Sequence, residues 1–461
     1  MHFVAIDIGS SYLKGAVVDM NALRLSHIAR EPFPAPAANL PSGCFEVEPQ
    51  AVVDASRRLL LRFLEHAPDC LGIVASTQMG GLVLADRRLR PLTRYISWRD
   101  QRTVLPGDES SASSFTKFLE AVGPDDARRL GRDLKPGYMT SLLHWLKLQN
   151  RLPHDPAYAL SIGDFVIASL AADSNAVPRT HPTSACGGVD VTCGDWAAAT
   201  WRRLGLDSIL WPEMAGLATV VGRWQVGGRS IRLYPALGDH ACALAGVLLE
   251  EGELSLNIST GSQVSQLTST FAPGDYQTRP YLDQRLLNTI THIPAGRSLN
   301  VLVDLLTEWS RAQATELGLT PADPWPYIAQ AAEEAGETEL DVDLSFFAGP
   351  LGEQGHVRGI TTDNLRIGTL FRAAFRSMAT NYALLAGRVA PNRNWSRLVF
   401  SGGLAQNLEL LRRLIRESLP GECRVSPETE DTLRGLLIAA MVASGRAATV
   451  VEATQLLSKH T

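Results

Sequence analysis

Asp239 stands between Gly238 and a run of small residues, His240-Ala241-Cys242-Ala243-Leu244-Ala245-Gly246. A carboxylate in that setting sits where a helix begins, and a face of Ala241, Ala245 and Gly246 lets another backbone come close. Such an acid is held in place and accessible, able to take a proton from a substrate or to do no more than cap the helix. A second acid, Asp7, ends the apolar run Phe3-Val4-Ala5-Ile6 and is followed by Ile8-Gly9-Ser10-Ser11. A turn of one glycine and two serines offers backbone N–H groups and hydroxyls to a phosphate, because glycine lets the backbone approach, and an aspartate at the strand end can hold a hydrated Mg²⁺.

These acids need strands and turns to place them. The apolar runs broken by Gly9-Ser10-Ser11 read as strand, tight turn and strand over residues 3–19. The stretch around Asp239 reads as a loop (Ala236-Leu237-Gly238), a short helix, a turn at Glu250-Glu251-Gly252-Glu253 and a strand from Leu254. An internal echo joins the two regions: Ile6-Asp7-Ile8-Gly9-Ser10-Ser11 lines up with Leu256-Asn257-Ile258-Ser259-Thr260-Gly261. A hairpin with a small, hydroxyl-rich turn thus recurs near the start of the second half, which suggests a phosphate clamp of two halves. Neither G-x-x-x-x-G-K-[ST] nor a G-x-G-x-x-G after a strand is present, so the clamp is not a P-loop or a dinucleotide fingerprint.

At 461 residues the chain is too long for one ordinary domain, and two large lobes with a cleft between them fit. A hydrophobic fraction of 45% with 20% charged residues excludes disorder. A net charge of -5 speaks against a nucleic-acid or anionic-membrane surface, so any anion must be met by local geometry. The six cysteines are scattered without a C-x-x-C pair and read as reduced, packed thiols rather than a zinc site. With no signal-peptide pattern and no apolar run of about 18 residues, the expected location is the cytoplasm.

Other polar groups gather at predicted strand ends. After a Pro/Ala-rich segment (32–41) and a helix near 50–66, a strand over 71–75 leads into Ser76-Thr77-Gln78-Met79-Gly80-Gly81, and a second strand covers 82–85. The loop Ile96-Ser97-Trp98-Arg99-Asp100-Gln101-Arg102 suits a sugar, because an indole face covers C–H groups while carboxylate and guanidinium bond hydroxyls; a buried Trp with a structural ion pair is the alternative. Residues 106–137 read as a surface excursion with one or two short helices, and 138–149, 162–171 and 196–204 as helices. Later, 304–317 and 370–388 have helical periodicity and 349–359 is a glycine-rich loop. Residues 397–407 run from a strand through Gly402-Gly403 into a helix ending near Leu419, a place for a nucleotide, since paired glycines remove obstruction and a helix N-terminus favours negative charge. A small-residue helix over 435–444 closes the core.

Together these patterns resemble the FGGY family of carbohydrate kinases, of the actin, Hsp70 and hexokinase-like superfamily, over nearly the whole chain. That family's D-x-G-[ST]-[ST] appears as Asp7-Ile8-Gly9-Ser10-Ser11, G-Q-M-H-G as Thr77-Gln78-Met79-Gly80-Gly81 and W-N-D-Q-R as Trp98-Arg99-Asp100-Gln101-Arg102. G-D-x-x-A appears as Gly238-Asp239-His240-Ala241, G-T-S as Ser259-Thr260-Gly261 and G-G as Gly402-Gly403, all in the family's order. The resemblance implies an α/β, two-lobed (ribonuclease H-like) fold with an interlobe cleft, residues 1–237 forming the first lobe and 238–461 the second. It implies an ATP- and Mg²⁺-dependent kinase acting on a small-molecule sugar, with no nucleic-acid or membrane partner, as a monomer or homodimer. Asp239 is then the base that accepts the proton of a terminal sugar hydroxyl, and Asp7 binds Mg²⁺. Gly9, Ser10, Ser11, Thr260 and Gly261 bracket the phosphates, Lys14 adds charge or is a solvated strand lysine, and Gly402, Gly403 and Asn407 take the adenosine side. Gln78, Met79, Trp98, Asp100 and Arg102 hold the sugar. The segment Leu256-Asn257-Ile258-Ser259-Thr260 departs from the usual G-T-S and looks most like sedoheptulokinases, with pentulose kinases of the xylulose or ribulose type, or a catalytically silent ATP- and sugar-binding regulator, as alternatives. Gly80 replaces the family histidine and Arg99 the family asparagine, which changes what the pocket can recognise.

Overall fold

The computed structural model describes residues 1–106, 112–171, 177–427 and 429–460. Residues 107–111 of the expected surface excursion lie outside the described residues.

Twelve strands build two six-stranded sheets. The first holds β1 (His2–Ile8), β2 (Tyr12–Asp19), β3 (Arg24–Pro32), β4 (Cys70–Thr77), β5 (Gly222–Val226) and β6 (Arg229–Gly238) in the order β5-β6-β4-β1-β2-β3. The second holds β7 (Glu253–Ile258), β8 (Ser262–Thr268), β9 (Gln277–Pro280), β10 (Leu286–Thr291), β11 (Arg397–Ser401) and β12 (Glu422–Val425) in the order β9-β10-β8-β7-β11-β12. The echo in the sequence is an echo in topology. In each half a hairpin (β1–β2, β7–β8) gains an antiparallel neighbour on one side (β3, β10) and two parallel strands on the other (β4 then β6, β11 then β12).

The central strands are apolar on both faces because helices cover both. Val4, Ile6, Ile73 and Ala75 face a core closed by α1 (Pro49–His66) and α2 (Ile162–Leu170), whereas Phe3, Ala5 and Val74 face α3 (Asp239–Gly246) and α8 (Asp431–Ala443). Runs of this kind are the mark of sheets covered on both sides. In the second half α4 (Gly296–Glu316), α5 (Ile367–Val389) and α7 (Glu409–Ser418) close the outer core. A smaller layer within residues 82–210 has its own core around Leu82, Phe118, Leu142, Leu143 and Trp201.

The helices α3 and α8 cross in close contact. A Cβ on Gly246 would lie 1.8 Å from the Asp431 carbonyl oxygen, and one on Gly435 would lie 1.9 Å from that of Cys242. The small-residue face read from the sequence is therefore a backbone-to-backbone contact between the helices that follow β6 and β12. It fixes the start of α3, and with it Asp239, against α8.

Several expected elements need correction. Ala236, Leu237 and Gly238 are the last residues of β6 rather than a loop, because they pair in parallel with Ala75, Ser76 and Thr77. Asp239 is the first residue of α3 and Gly238 its N-cap; the carboxylate accepts from the His240 N–H at 2.8 Å but does not cap. The single helix expected after Gly402-Gly403 is two, α6 (Gly403–Asn407) and α7, broken at Leu408, whose φ and ψ of -109° and 92° are extended. The helix expected over 196–204 is Ala198–Arg203, that over 304–317 begins earlier at Gly296, and the glycine-rich loop 349–359 contains the strand His356–Arg358.

Candidate active site

Three adjacent parallel strands, β1, β4 and β6, bring their C-terminal ends to one edge of the first sheet. There Asp7 pairs with Ser76, and Leu237 and Gly238 with Ser76 and Thr77, so that Asp7, Gln78 and Asp239 emerge side by side. This is the edge at which open α/β sheets bind ligands. Ser76 Oγ donates to Asp7 Oδ1 at 2.8 Å. Gln78 is buried, its N–H donates to the Ile8 carbonyl at 3.0 Å and its Nε2 to the Gly9 carbonyl at 3.3 Å, which ties it to the turn Gly9-Ser10-Ser11. Lys14, opposite Asp7 in the hairpin and partly exposed, donates to Glu430 at the start of α8 at 2.8 Å, and its charge also acts on Asp7.

Of the loop residues, Trp98 is 38% exposed, which leaves its indole face available and sets aside the buried-tryptophan alternative. Asp100 and Arg102 are buried and taken up with each other. Asp100 accepts from Arg102 Nε (2.7 Å), Nη2 (2.8 Å) and N–H (2.9 Å) and from the Phe45 N–H (2.7 Å), while Arg102 also donates to Glu46. The structural ion pair is the reading these contacts favour for the two; it shapes the loop that presents Trp98. Gly80, where the family has histidine, has φ +87°, and a Cβ there would lie 2.8 Å from the Tyr138 ring and 3.1 Å from Trp98 Cβ. Tyr138 fills the space of the missing side chain. Met79 is half-buried and lines a recess with Asp133, Cys186 and Arg279.

The second half repeats the polar pair at its own strand ends. Asn257 and Ser401 are register partners, as Asp7 and Ser76 are, and Asn257 Nδ2 donates to Ser401 Oγ at 3.0 Å. Ser259 Oγ donates to Asn257 Oδ1 at 3.2 Å, bracing the turn in which Thr260 and Gly261 are exposed. The N–H groups of Gly296 and Arg297 at the start of α4 donate to the Ser259 and Thr260 carbonyls, holding that turn from beneath. Gly402 lies on the β7 backbone, 2.6 Å from the Ile258 oxygen to a built Cβ, while Gly403 and Asn407 at either end of α6 are exposed. At five residues α6 brings little of the dipole expected of a helix N-terminus.

Residues that sequence reasoning missed complete the surroundings. Arg279 of β9 forms a buried bidentate pair with Asp133 (2.8 and 3.0 Å), bonds the Tyr138 hydroxyl at 3.2 Å and reaches His240 Nδ1 at 3.1 Å, beside Asp239. Lys135 donates from the first half to Thr291 Oγ1 of the second at 2.7 Å. Burial, and then the Arg279 charge, push Lys135 down to about 7. These partners lie 39 to 156 positions apart in the chain, and no local pattern announces them.

Burial raises Asp239 to about 7, with the negative charge of Asp7 adding to the rise. Burial raises Asp7 to about 6, the Ser76 hydrogen bond and the Lys14 charge opposing it. A carboxyl tuned near neutrality suits a general base. The sign for stability follows from linkage: an acid with a raised folded pKa favours the fold while protonated and loses that contribution as pH rises toward about 7. Asp239→Asn, neutral throughout, is therefore expected to melt higher than the parent at pH 8, the gain shrinking as pH falls from 7 toward 4. Thermal scans across that range check it; equal melting temperatures at pH 8 would contradict it.

Among the described residues no group of three or more His, Cys, Asp or Glu is arranged to hold a metal ion. Mg²⁺ does not need such a cage, since it is held by one or two carboxylates together with waters and substrate phosphates. Asp7 and Asp239, the first of which raises the proton affinity of the second, fit that donor set, and Asp7 keeps one carboxylate oxygen beyond the one bonded to Ser76.

Comparison with known proteins gives the same picture. Residues 2–229 match the N-terminal domain of the FGGY family of carbohydrate kinases. A xylulose kinase from Staphylococcus xylosus is 25% identical over 330 residues, 66% of this chain and 64% of that protein, so the match spans just under two thirds of that relative. The structure of a gluconate kinase from Lactobacillus acidophilus superposes with a TM-score of 0.81 at 16% identity, over 99% of this chain and 92% of that one. That of a Plasmodium falciparum glycerol kinase with ADP superposes with a TM-score of 0.79 at 16% identity, with the same coverage. These likenesses establish the two-domain α/β fold, and no helix among the described residues is long and apolar enough to cross a membrane. The first half of the chain thus matches the N-terminal domain of the FGGY family of carbohydrate kinases, and the whole length shares the two-domain α/β fold of the solved kinases.

Proposed function

We propose that the protein is an ATP-dependent ketose kinase, with residues 1–237 as the acceptor lobe and 238–461 as the lobe that receives adenosine. The observation that carries this reading is the convergence of Asp7, Gln78 and Asp239 at the ends of three neighbouring parallel strands, beside the turn Gly9-Ser10-Ser11. The acceptor hydroxyl oxygen bonds to the γ-phosphorus as the bond from that phosphorus to the ADP oxygen breaks, and the hydroxyl proton passes to Asp239. Phosphoryl transfer has a loose transition state, so positioning and charge stabilisation carry most of the work. Mg²⁺ when bound neutralises phosphate charge, and Asp7 is the residue to hold it, through water. Gly9, Ser10, Ser11, Thr260 and Gly261 supply turns for the phosphates, and Gly402, Gly403 and Asn407 an exposed floor for the adenosine. Gln78, Met79 and Trp98 face the sugar, with Asp100 and Arg102 shaping their loop.

Among ketoses, the segment from Leu256 to Thr260 favours sedoheptulose by its resemblance. The xylulose kinase relative supports a second reading, a pentulose. ADP release from ATP in the presence of ketoses, polyols and sugar acids separates them. Release that depends on sedoheptulose is the expected result, preference for xylulose or ribulose replaces the heptulose with a pentulose, and no release with any acceptor leaves only a silent regulator.

A further inference from the structure

The carbonyl oxygens of the first phosphate turn are all engaged. Gly9 O accepts from Gln78 Nε2 at 3.3 Å, Ser10 O from Arg99 Nη2 at 2.7 Å and Ser11 O from the Phe33 N–H at 2.9 Å. In a planar trans peptide the C=O of one residue and the N–H of the next point in opposite directions. Holding Gly9 O therefore aims the Ser10 N–H, and holding Ser10 O aims the Ser11 N–H. Successive N–H groups so aimed make an anion-binding concavity.

The two side chains that do the holding come from the acceptor side of the proposed site. Arg99 belongs to the loop of Trp98, and its guanidinium lies over the Phe45 ring at 5.2 Å and the Trp98 ring at 6.0 Å while also donating to Ser11 Oγ at 3.3 Å. Stacking on two rings restricts the guanidinium, so it arrives at the Ser10 carbonyl already oriented. Gln78 has spent its Nε2 on Gly9, and its Oε1 is buried without a hydrogen-bond partner. An unsatisfied buried acceptor is costly, and a sugar hydroxyl donating to it would hold the amide in the orientation that keeps Nε2 on the turn.

We infer that Arg99 is a positioning residue: together with Gln78 it ties the acceptor loop to the Gly9-Ser10-Ser11 turn, aiming the turn's N–H groups at the nucleotide phosphates. This deepens the kinase reading and rests on it. A residue on the sugar loop thus acts on the nucleotide, which a residue serving only as a sugar ligand would not do.

The test uses the full chain with Arg99→Asn and Arg99→Lys, and titrates a nonhydrolysable ATP analogue with Mg²⁺ in the absence of any sugar. Arg99→Asn is expected to weaken analogue binding by at least ~5-fold, because it removes a charge-assisted bond that sets the direction of an N–H group. Arg99→Lys, which can reach the Ser10 carbonyl but cannot stack and fork in the same way, is expected to fall between the two. Under turnover the KM for ATP rises by a similar factor, whatever change the KM for the ketose also shows. Unchanged analogue affinity in both variants, or a rise confined to the ketose KM, overturns the inference. Should Arg99→Asn fail to fold, Arg99→Lys carries the same comparison. If the parent itself binds no analogue, the kinase reading falls and this one with it; if the parent phosphorylates a ketose while the variants bind analogue as it does, only the positioning role is lost.

Discussion

Asp239→Asn should lower kcat for ketose phosphorylation by at least ~10²-fold while leaving affinity for a nonhydrolysable ATP analogue within ~3-fold of the parent. Asparagine keeps the volume and can still meet the His240 N–H through its side-chain oxygen, which is the hydrogen bond the aspartate makes. What it lacks is a site for the acceptor's proton. The carboxylate is held at the first turn of a helix whose far side is locked to α8, so the loss is chemical rather than a change of position. Burial brings Asp239 to about 7, and the same group explains a second property of the parent: kcat/KM should climb with pH through an acidic limb near neutrality, as the base loses its proton. Steady-state kinetics at several pH values, with calorimetric titration of the analogue, measures both. Near-parental turnover by the Asn variant would remove Asp239 from the role.

The other large effect is expected where α3 is packed against α8. Gly435→Ala places a methyl group 1.9 Å from the Cys242 carbonyl oxygen, a backbone atom that cannot swing aside. Either α3 or α8 must shift. Overpacking of this sort costs on the order of 3 kcal/mol, and a shift of α3 carries Asp239 with it. The variant should therefore melt ~5 °C or more below the parent, and the protein that remains folded should show a reduced kcat. Gly387→Ala supplies the control. It is also a helical glycine, in α5, but a Cβ there has no atom within 4 Å, so it should be neutral or slightly stabilising, as removal of glycine from a helix usually is. Equal melting temperatures for the two alanine variants would show that the α3–α8 contact is not as close as described.

How far residue types alone led can be judged from particular cases. The pairing of Asp7 with Asn257 by sequence echo anticipated a topological repeat, because hairpins with small polar turns and apolar flanks leave a pattern along the chain. The small residues of α3 announced a close contact but not its partner, since Gly435 lies nearly 190 positions from Gly246. Ala236-Leu237-Gly238 reads as a loop because Pro235 precedes it and Gly238 ends it, whereas the parallel partner Ala75-Ser76-Thr77 decides its state. Strand pairing overrode local turn signals there. The ion pair of Lys14 with Glu430, 416 residues on, leaves no mark in the residue order. The bracing of Asp7 by Ser76, the buried Arg279–Asp133 pair beside His240 and the grip of Arg99 on Ser10 all depend on tertiary neighbours, and residue order carries no record of them.

In the proposed complex a nucleoside triphosphate lies between the turns Gly9-Ser10-Ser11 and Ser259-Thr260-Gly261 with the acceptor hydroxyl at Asp239. A crystal structure with a nonhydrolysable ATP analogue, Mg²⁺ and a ketose tests it most directly. The γ-phosphate is expected within hydrogen-bond distance of N–H groups from both turns and a terminal ketose hydroxyl at the Asp239 carboxylate; a triphosphate bound away from either turn, or a sugar with no hydroxyl near Asp239, would overturn the proposed arrangement.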